Sequence, residues 1–550
     1  MNREITIGKF TLDSLTTGMY SDSKMVYREY VQNSVDAIDQ AIKNKILPNR
    51  KAGKIDIYID KNKKVVSIKD NGIGVSSENA YNILCDIGNS GKTYEENRGF
   101  RGIGRLGGLS YCDNLIFETS FKGENKKTII RWDAKQLKEL ILPGNNNESD
   151  LKTVLDNIIY MEIEEEEVNK HYFKVTLCNI KGESKLLDIN EVTDYLQQVA
   201  PIPFNTPSFP FYSDSVEGIK AKIKELDLEI EEYKIFINDN PAYLEKPYKS
   251  DFSANGKIDN IRKVKCFTER DIQGNLLYWG WYAISNFKGT VDDEKLRGIR
   301  MRKGNILIGD FRTFEQFFTK SNTRYNGWFI GEIHFHGQKL IPNGRRDDFE
   351  TNDEYLYVKK LITRYAKEVF NSIVRDSSQV NATMNNIIKN IKKIDENKKK
   401  MESNLIDKKK KEEIKIENKK IINVVENDGK KLKKFKSTIK EHGIDRDESI
   451  EPILALIGSN FDSNKDELNN INLEERNTDI ETNPKNNINK VFNGNDIYAL
   501  LEKVLSSYAR NERKLVMRII NVIEMEVKKE NELNSLLKKV VEELSIGKKK

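Results

Sequence analysis

The stretch YREYVQNSVDAIDQAI, Tyr27 to Ile42, decides how the chain is read. Tyr30, Val31, Val35, Ile38 and Ala41 recur at spacings of three and four, the period of a helix with one buried face. Off that face, Glu29, Asn33, Asp36 and Ala37 stand at i, i+4, i+7 and i+8, which brings a carboxylate and an amide within reach of one another. A carboxylate that polarises water, beside an amide oxygen that ligates Mg²⁺, suits phosphoryl hydrolysis. On its own such a face is an ordinary solvated helix surface, and its meaning rests on its neighbours.

Two glycine-rich stretches lie downstream. KIDIYIDKNKKVVSIKD (54–70) reads as two alternating strands around a polar turn, and it runs into DNGIG (70–74). There a carboxylate acceptor, Asp70, is followed by Gly72 and Gly74, which permit close backbone approach. RGFRGIGRLGG (98–108) spaces Gly99, Gly102 and Gly104 as G-x-x-G-x-G ahead of an expected helix start, a pattern that cradles anions on backbone amides. Between them, CDIGNSGKT (85–93) ends like a P-loop. That reading fails on two counts: Asp86 stands where the first glycine belongs, and the preceding AYNILC reads as helix rather than strand.

In this order and spacing, the three motifs resemble the GHKL superfamily of gyrase, ninety-kilodalton heat-shock chaperones, histidine kinases and mismatch-repair ATPases, which share the Bergerat ATP-binding fold. The chaperone branch is the nearest likeness, over roughly residues 20–215. The resemblance implies ATP and Mg²⁺ as ligands, with Glu29 the general base, Asn33 the metal ligand and Asp36 beside them. Asp70 would accept the adenine amino group, with Gly72 and Gly74 shaping the base pocket. Gly99, Gly102 and Gly104 would cradle the phosphates at the hinge of a lid, and Lys92 would meet phosphate from the lid entrance. In GEIHFHGQKLIPNGRRDDFE (331–350), Asn343 and Arg346 match an N-x-x-R pattern whose arginine reaches the γ-phosphate from the middle domain, with Arg345 adjacent. One departure stands out. The Gly-Thr that relatives carry before a late strand is missing from HYFKVTL (171–177).

The rest of the chain sets the organisation. At 550 residues several domains are expected, and a net charge of +6 against 92 basic and 86 acidic residues gives no general case for nucleic acid. Four dispersed cysteines, without a C-x-x-C pair, fit a reducing compartment and speak against zinc. His334 and His336 alternate on an expected strand as a solvated or packed pair rather than ligands. No apolar run suits a membrane span, so a cytoplasmic protein is expected. The fold class is α+β throughout: a Bergerat two-layer sandwich over 1–212 and an α+β middle (transducer) domain over 213–378. A Lys-rich helical arm over 379–441, a flexible linker over 442–490 and a helical region over 491–550 follow. VAPIPFNTPSFPF (199–211), dense in proline, reads as the hinge between the first two. Met384, Ile387, Ile391, Ile394, Met401 and Leu405 form a heptad-like seam on the arm.

Two functions follow. The first is a chaperone-like switching ATPase, a homodimer acting on a protein client or partner. The second is a nucleic-acid clamp in which the Lys-rich arm meets duplex DNA.

Overall fold

The computed structural model describes residues 22–88, 102–141, 151–182, 184–403 and 407–458, with four further positions at 516, 520, 539 and 540. Met1–Ser463 forms one compact unit and Asn464–Lys550 a second. The fold is mixed α+β with long helices after residue 350.

Helix α1 (Met25–Lys43) buries Tyr30, Val31, Val35, Ile38 and Ala41, the face its periodicity predicts. It packs on a sheet whose strands alternate burial along their length. β1 (Lys54–Asp60) turns Ile55, Ile57 and Ile59 inward and pairs antiparallel with β2 (Val65–Asp70). Then α2 (Ser77–Cys85), helical as its sequence predicts, occupies the segment that the P-loop reading needed as a strand. β3 (Asn114–Ser120) and β4 (Lys126–Asp133) form the second hairpin, followed by α3 (Ala134–Ile141), α4 (Leu151–Ile158), β5 (Ile159–Glu165), β6 (Tyr172–Cys178) and α5 (Ile189–Val199). The sheet has seven strands in the order β5-β4-β3-β6-β2-β1-β7. Its inward isoleucines, valines and leucines form one core with apolar residues of all five helices, which makes two layers.

The last strand of that sheet, β7 (Lys234–Ile237), lies beyond residue 212 and pairs parallel with β1. The expected boundary at 212 therefore falls short of the sheet's own edge. Nor is the proline-rich stretch a loose hinge. Phe204 stacks on Tyr212 at 4.2 Å between ring centres, and with Phe209 joins Tyr248 and Trp281 in a buried aromatic cluster. α6 (Ile219–Glu225) belongs to the same core.

After the hairpin of β8 (Asp251–Ala254) and β9 (Lys257–Asn260) comes a five-stranded sheet: β10 (Lys263–Arg270), β11 (Leu276–Ile284), β12 (Gly298–Lys303), β13 (Ile306–Ile308) and β14 (Ile330–Phe335). The order is β10-β11-β14-β12-β13, with β12 and β14 parallel. β14 is buried at every position because this sheet is covered on both faces, by the aromatic cluster on one and by helices on the other.

Those helices begin with α7 (Asp353–Tyr365), capped by the Asn352 side chain, and continue through one π turn into α8 (Asn371–Glu402). α9 (Lys408–Glu441) folds back along α8, burying Ile387 and Ile394 against Ile421, Val425 and Leu432. The Lys-rich arm is thus a helical hairpin paired within one chain. Leu405, at the end of its seam, lies outside the described residues. Residues 442–458 are not the expected linker: 447–458 is helical, and Ile444 and Ile450 are fully buried against the hairpin's base. Beyond 458, the expected linker and terminal helices fall almost wholly outside the described residues.

Candidate active site

Asp70 ends β2 with its carboxylate buried, and one oxygen accepts the Gly72 amide at 2.9 Å. The loop after it is clamped from three sides. The Ile73 amide donates to the Ala37 carbonyl on α1 at 3.1 Å, His171 Nδ1 lies 2.8 Å from the Gly72 carbonyl oxygen, and the Val75 amide donates to Thr119 Oγ1 at 2.8 Å. Gly74 has φ +72°, and a Cβ there would stand 2.0 Å from the Ser120 carbonyl oxygen, so only glycine closes this loop. The result is a rigid pocket floor around one buried acceptor.

β6 pairs with β2 so that Phe173 lies opposite Asp70. The strand that lacks the Gly-Thr is thus a direct neighbour of β2, with phenylalanine opposite Asp70. Thr119, on β3, faces the same Phe173 and donates its hydroxyl to the Tyr172 carbonyl at 3.1 Å. No motif in the sequence marks Thr119 or His171, because both reach the loop only through strand register.

Across from this loop, the sequence-predicted Glu29, Asn33 and Asp36 all lie on α1. Asp36 is buried, and Asn33 is half-buried and makes no hydrogen bond to a described residue. Gly102, with φ +70°, leads into the 3-10 helix Gly104–Ser110, which lies against α1. The Tyr30 hydroxyl fixes it, donating to the Arg105 carbonyl and accepting from the Gly108 amide, each at 3.1 Å. A Cβ on Gly104 would come within 2.5 Å of Glu29 Oε2, so this glycine lets the loop touch the carboxylate. Arg105 in turn donates to the Asp86 carbonyl, tying the loop to the end of α2. Lys92 and Gly99 lie outside the described residues.

The same carboxylate is met by a residue more than three hundred positions away. Arg346 Nε stands 3.0 Å from Glu29 Oε1, and both side chains are almost fully buried. The turn that delivers it is internally bonded: the Asn343 amide donates to the Asp348 carbonyl at 2.9 Å, and the Asn343 carbonyl accepts the Arg346 amide at 3.0 Å. Arg346 itself adopts φ +56°, a left-handed conformation that disfavours any residue with a Cβ. Arg345 instead is exposed, and its carbonyl accepts from Arg28 Nη2 at 3.1 Å. Arg28 Nε lies 3.6 Å from Glu29 Oε1, which places two guanidinium groups on one carboxylate. Arg28 carried no motif in the sequence; its only signal was its place next to Glu29.

Residues 20–157 match the family described as histidine kinase-, DNA gyrase B-, and HSP90-like ATPase. This region is similar to the ATPase domains of the GHKL superfamily. Chaperone protein HtpG of Geobacter metallireducens is 26% identical over 141 residues, 22% of each chain. HtpG of Wigglesworthia glossinidia brevipalpis is 31% identical over 145 residues, and that of Campylobacter jejuni is 36% identical over 92. The chain thus matches less than a quarter of the length of these relatives. Among the described residues no helix is long and apolar enough to cross a membrane.

The donor set of this region fits magnesium brought in with a nucleotide. Among the described residues no three His, Cys, Asp or Glu side chains gather as a metal cage. Mg²⁺ is commonly held by one or two protein oxygens together with phosphates and water, and the Asn33 amide oxygen could supply one of them.

Proposed function

We propose that the chain binds and hydrolyses ATP with magnesium, and that hydrolysis is coupled to movement between the GHKL domain and the middle domain, in the manner of a chaperone-like switching ATPase. The observation that carries this reading is the contact between Glu29 and Arg346, because it joins the expected base to the expected phosphate sensor across two domains. Asp70 and the floor built by Gly72 and Gly74 receive the adenine. Asn33 holds magnesium, which neutralises phosphate charge, with Asp36 buried behind it. The loop of Gly102 and Gly104 receives the phosphates, and Gly99 and Lys92 complete that cradle. Glu29 orients the attacking water and takes its proton.

Arg346 is held on Glu29 when no phosphate competes for it. A nucleotide's terminal phosphate is the stronger partner for a guanidinium. Transfer of Arg346 to that phosphate frees the carboxylate for water and reports occupancy to the middle domain in one step. Dimerisation and action on a protein partner accompany this cycle.

Replacing Glu29 by alanine tests the assignment: ATP binding is retained while turnover falls by about 10²–10⁴-fold, the scale of a lost general base. Equal rates in variant and wild type remove Glu29 from the catalytic role.

A nucleic-acid clamp is a second reading, favoured by the charge distribution on the helical hairpin. Near its base the lysines are neutralised, as Lys431 is by Asp428 at 2.9 Å and Lys440 by Asp447 at 2.7 Å. At its tip Lys398, Lys399, Lys400 and Lys408 to Lys411 make no ion pair among the described residues. Replacing Lys408, Lys409, Lys410 and Lys411 by glutamine should flatten the dependence of DNA affinity on salt, by about 0.9 in log–log slope for each phosphate no longer neutralised. Absence of DNA binding at low salt removes this reading.

A further inference from the structure

Behind the catalytic face of α1 lie polar groups that the nucleotide chemistry does not use. Gln32 is fully buried, and among the described residues neither its amide oxygen nor its amide nitrogen has a hydrogen-bond partner. One turn earlier, Arg28 is also buried, and its Nε lacks an acceptor although Nη2 donates to the Arg345 carbonyl. From α5, which packs across α1, Tyr195 brings a buried hydroxyl with no partner into the electrostatic reach of Arg28 and Glu29. Burial pushes the Tyr195 phenol up to about 12, so at neutral pH it is an uncharged donor and acceptor.

Two features make this cluster unusual. Among the described residues the Arg28 Nε, both ends of the Gln32 amide and the Tyr195 hydroxyl are all unmatched, and the Arg28 Nε lies 3.6 Å from a carboxylate that Arg346 already contacts. They also include both donors and acceptors. Unmade hydrogen bonds in a buried site are costly, and native proteins meet such groups with ordered water, which typically takes about three partners.

We propose a buried water site between α1 and α5, bounded by Arg28 Nε, the Gln32 amide and the Tyr195 hydroxyl, that positions the Arg28 guanidinium against Glu29. Water there accepts from Arg28 Nε, donates to Gln32 Oε1 and exchanges a hydrogen bond with Tyr195. Arg28 is the cation that stays when Arg346 leaves Glu29, so its placement sets the orientation of the carboxylate. Gln32 and Tyr195 act through Arg28 and are positioning residues. The water site stands on the packing alone, whereas its positioning effect rests on Glu29 being the base.

The sign of a stability change decides the first half. Gln32→Met and Tyr195→Phe keep the packing volume and remove the polar atoms. In a dry site each removes an orphan group and raises Tm. With water bound, each strands that water's remaining partners and lowers Tm by about 2–4 °C. The double variant should lose no more than the larger single effect, because both remove the same water. A rise in Tm for either variant, or fully additive losses, overturns the site, as does a high-resolution crystal structure with no water between Gln32 and Tyr195.

Steady-state kinetics on the full chain decide the second half. Gln32→Met should lower kcat by about three- to tenfold with the KM for ATP within about twofold, a split that general unfolding does not produce. An unchanged kcat overturns the positioning role. If wild-type protein does not hydrolyse ATP, the ATPase reading and the positioning role fail together, and the Tm signs still decide the water site.

Discussion

Glu332 and Glu29 are both buried carboxylates that face two cations, and their surroundings differ in kind. Glu332 sits within β14, fully enclosed. Lys246 Nζ donates to both its oxygens at 2.9 and 3.0 Å, Arg302 Nε lies at 2.5 Å, and Tyr248 and His334 complete the shell at 2.9 and 3.1 Å. Burial works against its charge, but Arg302 and Lys246 outweigh it and hold the carboxyl well below the usual range. Arg302 comes from the neighbouring strand and is itself bonded to the Gln198 carbonyl on α5 at 2.8 Å. Glu29, by contrast, is met at 3.0 Å by an arginine from a turn with left-handed backbone and at 3.6 Å by its own neighbour. Every donor to Glu332 is held by the body of a sheet or its flanking core. The nearest donor to Glu29 arrives on a loop. The first arrangement is built to persist, and the second to exchange partners.

The sharpest way to break that contrast is to remove charge at Glu332. Glu332→Gln takes from the buried Lys246 and Arg302 the carboxylate they share, and stability should fall by about 3–5 kcal/mol in denaturant unfolding, the scale of a broken buried ion pair. A loss below about 1 kcal/mol would show that the cluster tolerates rearrangement and would erase the difference between the two sites.

At the exchangeable site the balance should reverse. Arg346→Ala should cost less stability than Glu332→Gln, about 1–3 kcal/mol, since Glu29 keeps the Arg28 guanidinium at 3.6 Å. ATP turnover should drop by about 10–100-fold while ADP affinity changes little, because ADP lacks the phosphate that the guanidinium meets. Unchanged hydrolysis would contradict the sensor role, and a large stability loss would make Arg346 another Glu332.

The same contrast separates what the sequence disclosed from what it hid. α1, the two early hairpins and the helical lead-in at Ser77–Cys85 were legible because local periodicity specifies them. Glu29, Asn33, Asp70 and the glycines were read as a site through the resemblance that their order and spacing carry, and their roles stand as the proposal. What stayed hidden depends on pairing between distant segments. β7 joins the first sheet from beyond its expected boundary, Phe173 faces Asp70 through strand register, and the arm folds on itself although its heptads allow a partner chain as well. The Glu332 cluster was equally invisible: Lys246, Tyr248, Arg302 and His334 read as ordinary polar residues on strands and loops until the sheet brings them together.

The smallest effect separates the backbone of the exchange site from its side chain. Arg346 holds φ +56° because its amide donates to the Asn343 carbonyl and its own carbonyl accepts the Gly309 amide at 2.7 Å, so the turn fixes the conformation whatever the side chain. For an L-residue that conformation costs roughly 1–2 kcal/mol, a penalty glycine escapes, although glycine's freer unfolded chain offsets part of the gain. Arg346→Gly should therefore be more stable than Arg346→Ala by about 0.5–1 kcal/mol in denaturant unfolding, although both remove the guanidinium. Their turnover should be equally slow. If the alanine variant is the more stable, the turn relaxes once the ion pair is gone, and the contact with Glu29, rather than the loop, is what holds Arg346 in its left-handed conformation.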